Sequence, residues 1–259
     1  MTALLQRDRR ILFAALSVIA ISAWAYMAYE AHAMYSTGSC CCAGMKMSGP
    51  DTDAWSPATL LPLFLMWAEM MVAMMLPTAM PMILAFAAVQ RKRREQELPF
   101  VPAGLFTSGY LLVWTGFSVL AAVAQWILHG KALLSPMMVS TSPILGGALL
   151  LVGGVFQFAP FKSNCLSHCR SPQGFLESNW RDGRIGALTM GLKHGVHCSG
   201  CCWFLMTLLF VAGVMNLWWI AAITILVLLE KVLPNARRFS RGSGIVLIAW
   251  GVWLLWTAR

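Results

Sequence analysis

Long unbroken runs of apolar residues, separated by short polar or basic segments, are the dominant pattern along the chain. Runs at 11–29, 60–89, 103–128, 143–160, 186–212, 214–233 and 242–257 predict seven membrane-spanning helices. About 18 or more apolar residues are needed to carry a helix across ~30 Å of hydrocarbon. The runs are continuous and do not alternate, so helices that satisfy their own backbone are expected in lipid, and a barrel is not. The expected fold is an all-α polytopic bundle over 1–259. Its two longer connections, at 30–59 and 161–185, are too short to bury cores of their own.

Composition strengthens this reading. Hydrophobic residues make up 59% of the chain and charged residues 11%, more apolar side chain than a water-soluble domain of this length hides in one core. The cations then set an orientation. Arg7, Arg9 and Arg10 precede the first run, and Arg91, Lys92, Arg93 and Arg94 follow the second. Lys162, Arg170, Arg181 and Arg184 follow the fourth, and Lys231, Arg237, Arg238 and Arg241 follow the sixth. The opposite connections hold Lys46 and Lys131, with Arg259 at the terminus. An excess of Lys and Arg marks the cytoplasmic side, so the N-terminus is expected inside and the C-terminus outside. The net charge of +9 is spread over several connections and forms no single patch, which excludes a nucleic-acid partner and leaves the bilayer as the expected one. Arg7 to Arg10, the first apolar run and Ala31-His32-Ala33 also resemble a cleavable leader. The run is longer than the roughly 7–15 residues of a leader core, so a retained first span is expected.

Candidate chemistry lies inside the runs. In the second, Met66, Glu69, Met70, Ala73, Met74 and Pro77 share one helical face, with Met71 and Met75 beside it. Methionine is ordinary core filling, but a carboxylate about three turns into a span is costly unless it is paired, protonated or coordinating. Pro77 and Pro81 should free carbonyls that face protein or a cavity. In the fifth run, His194, His197, Cys198 and Cys201 recur at i, i+3, i+4 and i+7, with Cys202 adjacent. Imidazole and thiolate suit copper(I) or zinc better than magnesium or calcium. Rise per residue places Glu69 with its methionines and Cys198 with Cys201 in the same layer, provided that the two spans are neighbours.

The connections extend the metal theme more weakly. The outer one holds Cys40, Cys41, Cys42, Met45 and Met47, where disulfides compete with metal binding. The inner one holds Cys165, His168 and Cys169 in a compartment where a Cys/His cluster more often binds metal than forms a bridge. Lys193 and Glu230, near inner span ends, fit ion pairing, snorkelling or a proton relay. Asn216 fits a cap or turn.

Three segments carry a resemblance: WAEMMVAMMLP at 67–77, CLSHCRSP at 165–172, and HGVHCSGCCW at 194–203 continuing through Gly213, Asn216, Glu230 and Lys231. From about Trp55 onward the chain resembles the bacterial family of predicted metal-binding integral membrane proteins. The resemblance implies a multi-pass bacterial inner-membrane protein that binds metal, and implies no reaction. The expected function is soft-metal handling or translocation, with copper favoured over zinc, through the Met/Glu/His/Cys constellation and with metal-donor or metal-acceptor proteins as partners. A membrane metalloenzyme and a structural metal site in an assembly partner are the alternatives.

Overall fold

The computed structural model describes residues 2–37, 59–131, 133–134 and 142–258, and among these it is all-helical. The ten helices are α1 (Thr2–Thr37), α2 (Leu60–Glu95), α3 (Ala103–Gly130), α4 (Pro143–Phe156), α5 (Pro160–Arg170), α6 (Pro172–Asn179), α7 (Gly183–Thr207), α8 (Leu209–Ala212), α9 (Leu217–Val232) and α10 (Ala236–Thr257). Five segments are long and apolar enough to cross a membrane: α1, α2, α3, α7 with α8, and α10. The pair α4 and α5, bent by 65°, would make a sixth. The segment expected as a span at 214–233 contains the 16 residues of α9, a rod of roughly 24 Å, shorter than the hydrocarbon core. Large apolar side chains cover the outside, among them Leu120, Ile144, Ile185 and Trp218, a covering compatible with membrane insertion.

Helix ends follow local sequence rules. The Asn216 side chain accepts from the Trp219 N–H at 3.3 Å and caps α9. Pro160 and Pro172 each open a helix in its first turn, where a missing N–H is harmless. The inner connection is therefore two short helices, where the sequence reading expected a loop. Pro77 and Pro81 lie inside α2 without ending it. Pro77 offers no N–H to the Ala73 carbonyl, and that carbonyl accepts from the Trp24 indole of α1 at 3.1 Å.

Small residues set the packing. The main contacts of α7 are with α3 and α5, while α2 packs on α1 and α3. A Cβ on Gly191 would collide with the Phe106 carbonyl, and one on Gly109 with the Leu188 carbonyl, so glycine on both helices lets the α3 and α7 backbones touch. The α4–α10 crossing uses Gly147, Gly154, Gly244 and Gly251 in the same way.

One end of the bundle is pinned by charge. Arg93 in the last turn of α2 pairs with Asp182 before α7 at 2.8 Å, and Arg170 at the end of α5 donates to the Pro234 carbonyl beyond α9 at 3.0 Å. Lys162 is not a solvated connection cation, as the sequence count assumed. It is 1% exposed and pairs with the equally buried Glu230 at 2.7 Å. Lys162 also donates to Gln157, and Ser240 donates to Glu230 at 3.1 Å. Each buried charge thus has a counter-charge and further hydrogen bonds, the condition under which such a pair is tolerated. The pair fixes α5 against α9, and so fixes where Cys165, His168 and Cys169 fall.

Candidate metal centre

On α7 the i, i+4, i+7 and i+8 positions His194, Cys198, Cys201 and Cys202 are all buried. The thiols of Cys201 and Cys202 each donate to the Cys198 carbonyl at 3.0 Å. Cys165 and Cys169 are four apart on α5, so both can face α7. Gly200 leaves room for this approach, since a Cβ there would stand 3.0 Å from the Cys165 sulfur. The Cys169 thiol lies beside those of Cys198 and Cys201, close enough to interact with both, and the Cys202 thiol neighbours the same two. All five described cysteines are free thiols. Four sulfurs from two helices thus form one connected group.

Two polar residues close the group from other helices. Lys231 of α9 donates to the Cys198 sulfur at 3.0 Å and to the Thr78 hydroxyl at 2.8 Å. The Tyr110 hydroxyl of α3 lies 3.2 Å from the same sulfur and 3.0 Å from the Met75 carbonyl. Thr78 in turn donates to that carbonyl at 2.9 Å. The sulfurs therefore sit beside a buried ammonium, with a tyrosine and the deep part of α2 as the facing wall. His194 stacks on Tyr110 and Phe106, with ring centroids 5.4 and 6.0 Å away, and its buried Nδ1 has no hydrogen-bond partner. An orphaned buried nitrogen is costly, and a cation would relieve that cost.

The chemistry of these donors fits a soft monovalent ion, because thiolates favour Cu(I). Their present disposition is a thiol hydrogen-bond network, not a ready ligand shell. Among the described residues no three His, Cys, Asp or Glu side chains surround one point as ion ligands. Binding would exchange thiol hydrogen bonds for metal bonds and release protons, as metal binding to thiols does generally.

The structure does not bring the whole expected constellation together. His197 is half-buried, with its ring against that of His168 at the edge of the group. Met70 and Met74 are buried and Met66 partly so, all in the common apolar core, but α2 meets the thiols through Met75 and Thr78. Glu69 lies about nine residues before Thr78, hence roughly 180° around the helix and ~13 Å along it. It is half-buried, and the charge that acts on it is Glu30 of α1. The shared layer required α2 and α7 to pack side by side; the main contacts of α7 are with α3 and α5, and α2 approaches the thiols at Met75 and Thr78 instead of at Glu69. Cys40, Cys41, Cys42, Met45 and Met47 lie outside the described residues.

Sequence reasoning gives neither Lys231 nor Tyr110 a place among the candidate site residues. In the sequence Lys231 stands with the cations that follow the sixth run and in the resembling segment, and the adjacent charges Glu230-Lys231 end an otherwise apolar helix. Neighbours on a helix point about 100° apart, so one meets Lys162 and the other meets Cys198. Tyr110 carries no local signal that separates it from any other tyrosine in a span.

A family model described as PpoB2, copper chaperone, matches residues 64–254, a range that takes in every member of the thiol group together with Lys231 and Tyr110. The sequence resemblance to a metal-binding family agrees with this in kind. No curated protein matches the chain, and no solved structure does.

Proposed function

Because the chain belongs to the PpoB2 copper chaperone family, we propose that it carries a cuprous ion as cargo on the thiols of Cys169, Cys198, Cys201 and Cys202 inside a membrane-embedded bundle. The observation that carries this reading is the Lys231 ammonium 3.0 Å from the Cys198 sulfur. Cu(I) held by two thiolates bears one negative charge, and the ammonium makes the buried assembly neutral. A divalent ion on the same pair would leave it positive, which a poorly solvated site penalises. The lysine thus favours Cu(I) over Zn(II), and the remaining two thiols offer alternative partners for ligand exchange.

A cytoplasmic N-terminus accompanies this proposal. In that orientation α5 and Cys169 belong to the cytoplasmic half, and copper is taken up or handed over there. Glu69, Met66, Met70 and Met74 lie outside the primary site in this reading.

Anaerobic titration of the purified full chain, competing with a coloured cuprous chelator, tests it. Reduced protein should withdraw copper stoichiometrically and keep it in the presence of an equal amount of Zn(II). Folded, reduced protein that takes no copper from the chelator would refute the proposal.

A further inference from the structure

Outside the thiol group, two imidazoles from different helices face each other where α5 crosses α7. The rings of His168 and His197 lie 4.5 Å apart between centroids, tilted by 30°. His168 Nδ1 is 2.9 Å from the Asn164 carbonyl and His197 Nδ1 is 2.7 Å from the Lys193 carbonyl. A carbonyl oxygen can only accept, so each Nδ1 carries the proton in the neutral ring and each Nε2 keeps its lone pair. Fixing one ring nitrogen on a backbone carbonyl, leaving the other as donor, is how proteins orient metal-binding histidines.

The position of the pair matters as much as its chemistry. His168 is exposed, His197 and the adjacent Cys169 are half-buried, and the Cys169 thiol lies beside those of Cys198 and Cys201. Phe175 stands edge-on to both His197 and the buried His194, with centroids 6.1 and 5.5 Å away, and walls the pair off on its inner side. A cation arriving at the surface of α5 therefore meets the exposed His168 imidazole ahead of the half-buried Cys169 sulfur. Imidazole is the less soft ligand for a cuprous ion, so the order of ligands runs from weaker to stronger.

We propose that the Nε2 atoms of His168 and His197 form a separate docking site for a copper ion, holding it at the protein surface before Cys169 draws it into the thiol group. Two protein ligands leave the coordination shell incomplete. Water or a donor group on a delivering protein fills the remainder, and this suits a site that must release what it binds. The transfer is ligand exchange without change of oxidation state. Each imidazole nitrogen leaves a cuprous ion as a thiolate sulfur joins it, and the thiol proton passes to solvent. This inference rests on the thiol group being the destination, as argued above.

The test uses the full chain and the variant carrying His168→Gln and His197→Gln. In stopped-flow mixing with cuprous ion, the variant should fill its thiols to wild-type occupancy, but about tenfold more slowly. Loading at the wild-type rate overturns the proposal. A second measurement separates the two sites. With the thiols filled by silver(I), added cupric ion should give an electron paramagnetic resonance spectrum with nitrogen hyperfine splitting that the double substitution removes. A nitrogen signal that survives the substitution also overturns the docking site. Failure of silver or cuprous ion to occupy the thiols, with the nitrogen signal still dependent on His168 and His197, would count against the thiol group alone.

Discussion

Replacing Cys198 and Cys201 together with serine is expected to abolish stoichiometric cuprous binding, with affinity falling by at least ~10³-fold. Cys198 is the hub of the group: its sulfur meets Lys231 and Tyr110, its carbonyl accepts from the thiols of Cys201 and Cys202, and the Cys169 thiol lies beside it. Cys201 is the second sulfur that Cys169 and Cys202 share. Serine keeps a hydroxyl for Lys231 and for the Cys198 carbonyl position, so the hydrogen-bond network persists. What it removes is the soft donor, and a hydroxyl does not replace thiolate for a monovalent soft ion. Chelator competition on the folded variant reads the effect. Cys165→Ser serves as the control, because the Cys165 sulfur packs against Gly200 and lies outside the thiol network described above. Wild-type affinity in the double variant would remove these sulfurs from the site.

The second large effect is assigned to a residue that binds no metal. Lys231→Met should weaken cuprous binding by about a thousandfold while the thermal midpoint of the metal-free protein does not fall. At about 4 Å and an effective dielectric constant near 20, one unit charge acting on another is worth roughly 4 kcal/mol, which corresponds to about three decades in affinity. Methionine matches the length and apolar stem of lysine without the charge. In the metal-free state the substitution relieves the desolvation of a buried ammonium. Thr78 keeps its bond to the Met75 carbonyl. The opposite signs for affinity and stability distinguish charge compensation from a packing role, since a packing residue would lower both. Equal copper affinity in wild type and variant would remove the electrostatic argument for a monovalent ion.

Much of the site was legible in the spacing of α7. The recurrence of His194, Cys198 and Cys201 is a helical stripe, and the structure buries all three on one side. The Cys165/Cys169 pair was harder to place. Pro160 and Pro172 bracket a short polar segment that reads as a connection, although the i, i+4 spacing already fitted a helix face. Its fixing depends on the Lys162–Glu230 pair, which joins residues 68 positions apart, and no local pattern announces that.

Glu69 shows the limit of depth arithmetic. Rise per residue assigns a layer but not a neighbour, and the close packing of α3 on α7 depends on the glycine crossing at Gly109 and Gly191. Lys231 shows the limit of counting cations at span ends. The positive-inside rule treats each as a solvated charge, whereas here Lys162 is 1% and Lys231 8% exposed. Their functions lie in which helix face each occupies, a property that the sequence displays only once the partner helices are known.

The most direct measurement is X-ray absorption at the copper edge on the full chain, loaded anaerobically with less than one equivalent of cuprous ion. The first shell is expected to be made of sulfur alone and to be lost in the Cys198→Ser/Cys201→Ser variant. A first shell of nitrogen or oxygen, or a sulfur shell that persists in that variant, would contradict a cuprous ion held by the buried thiols of α5 and α7.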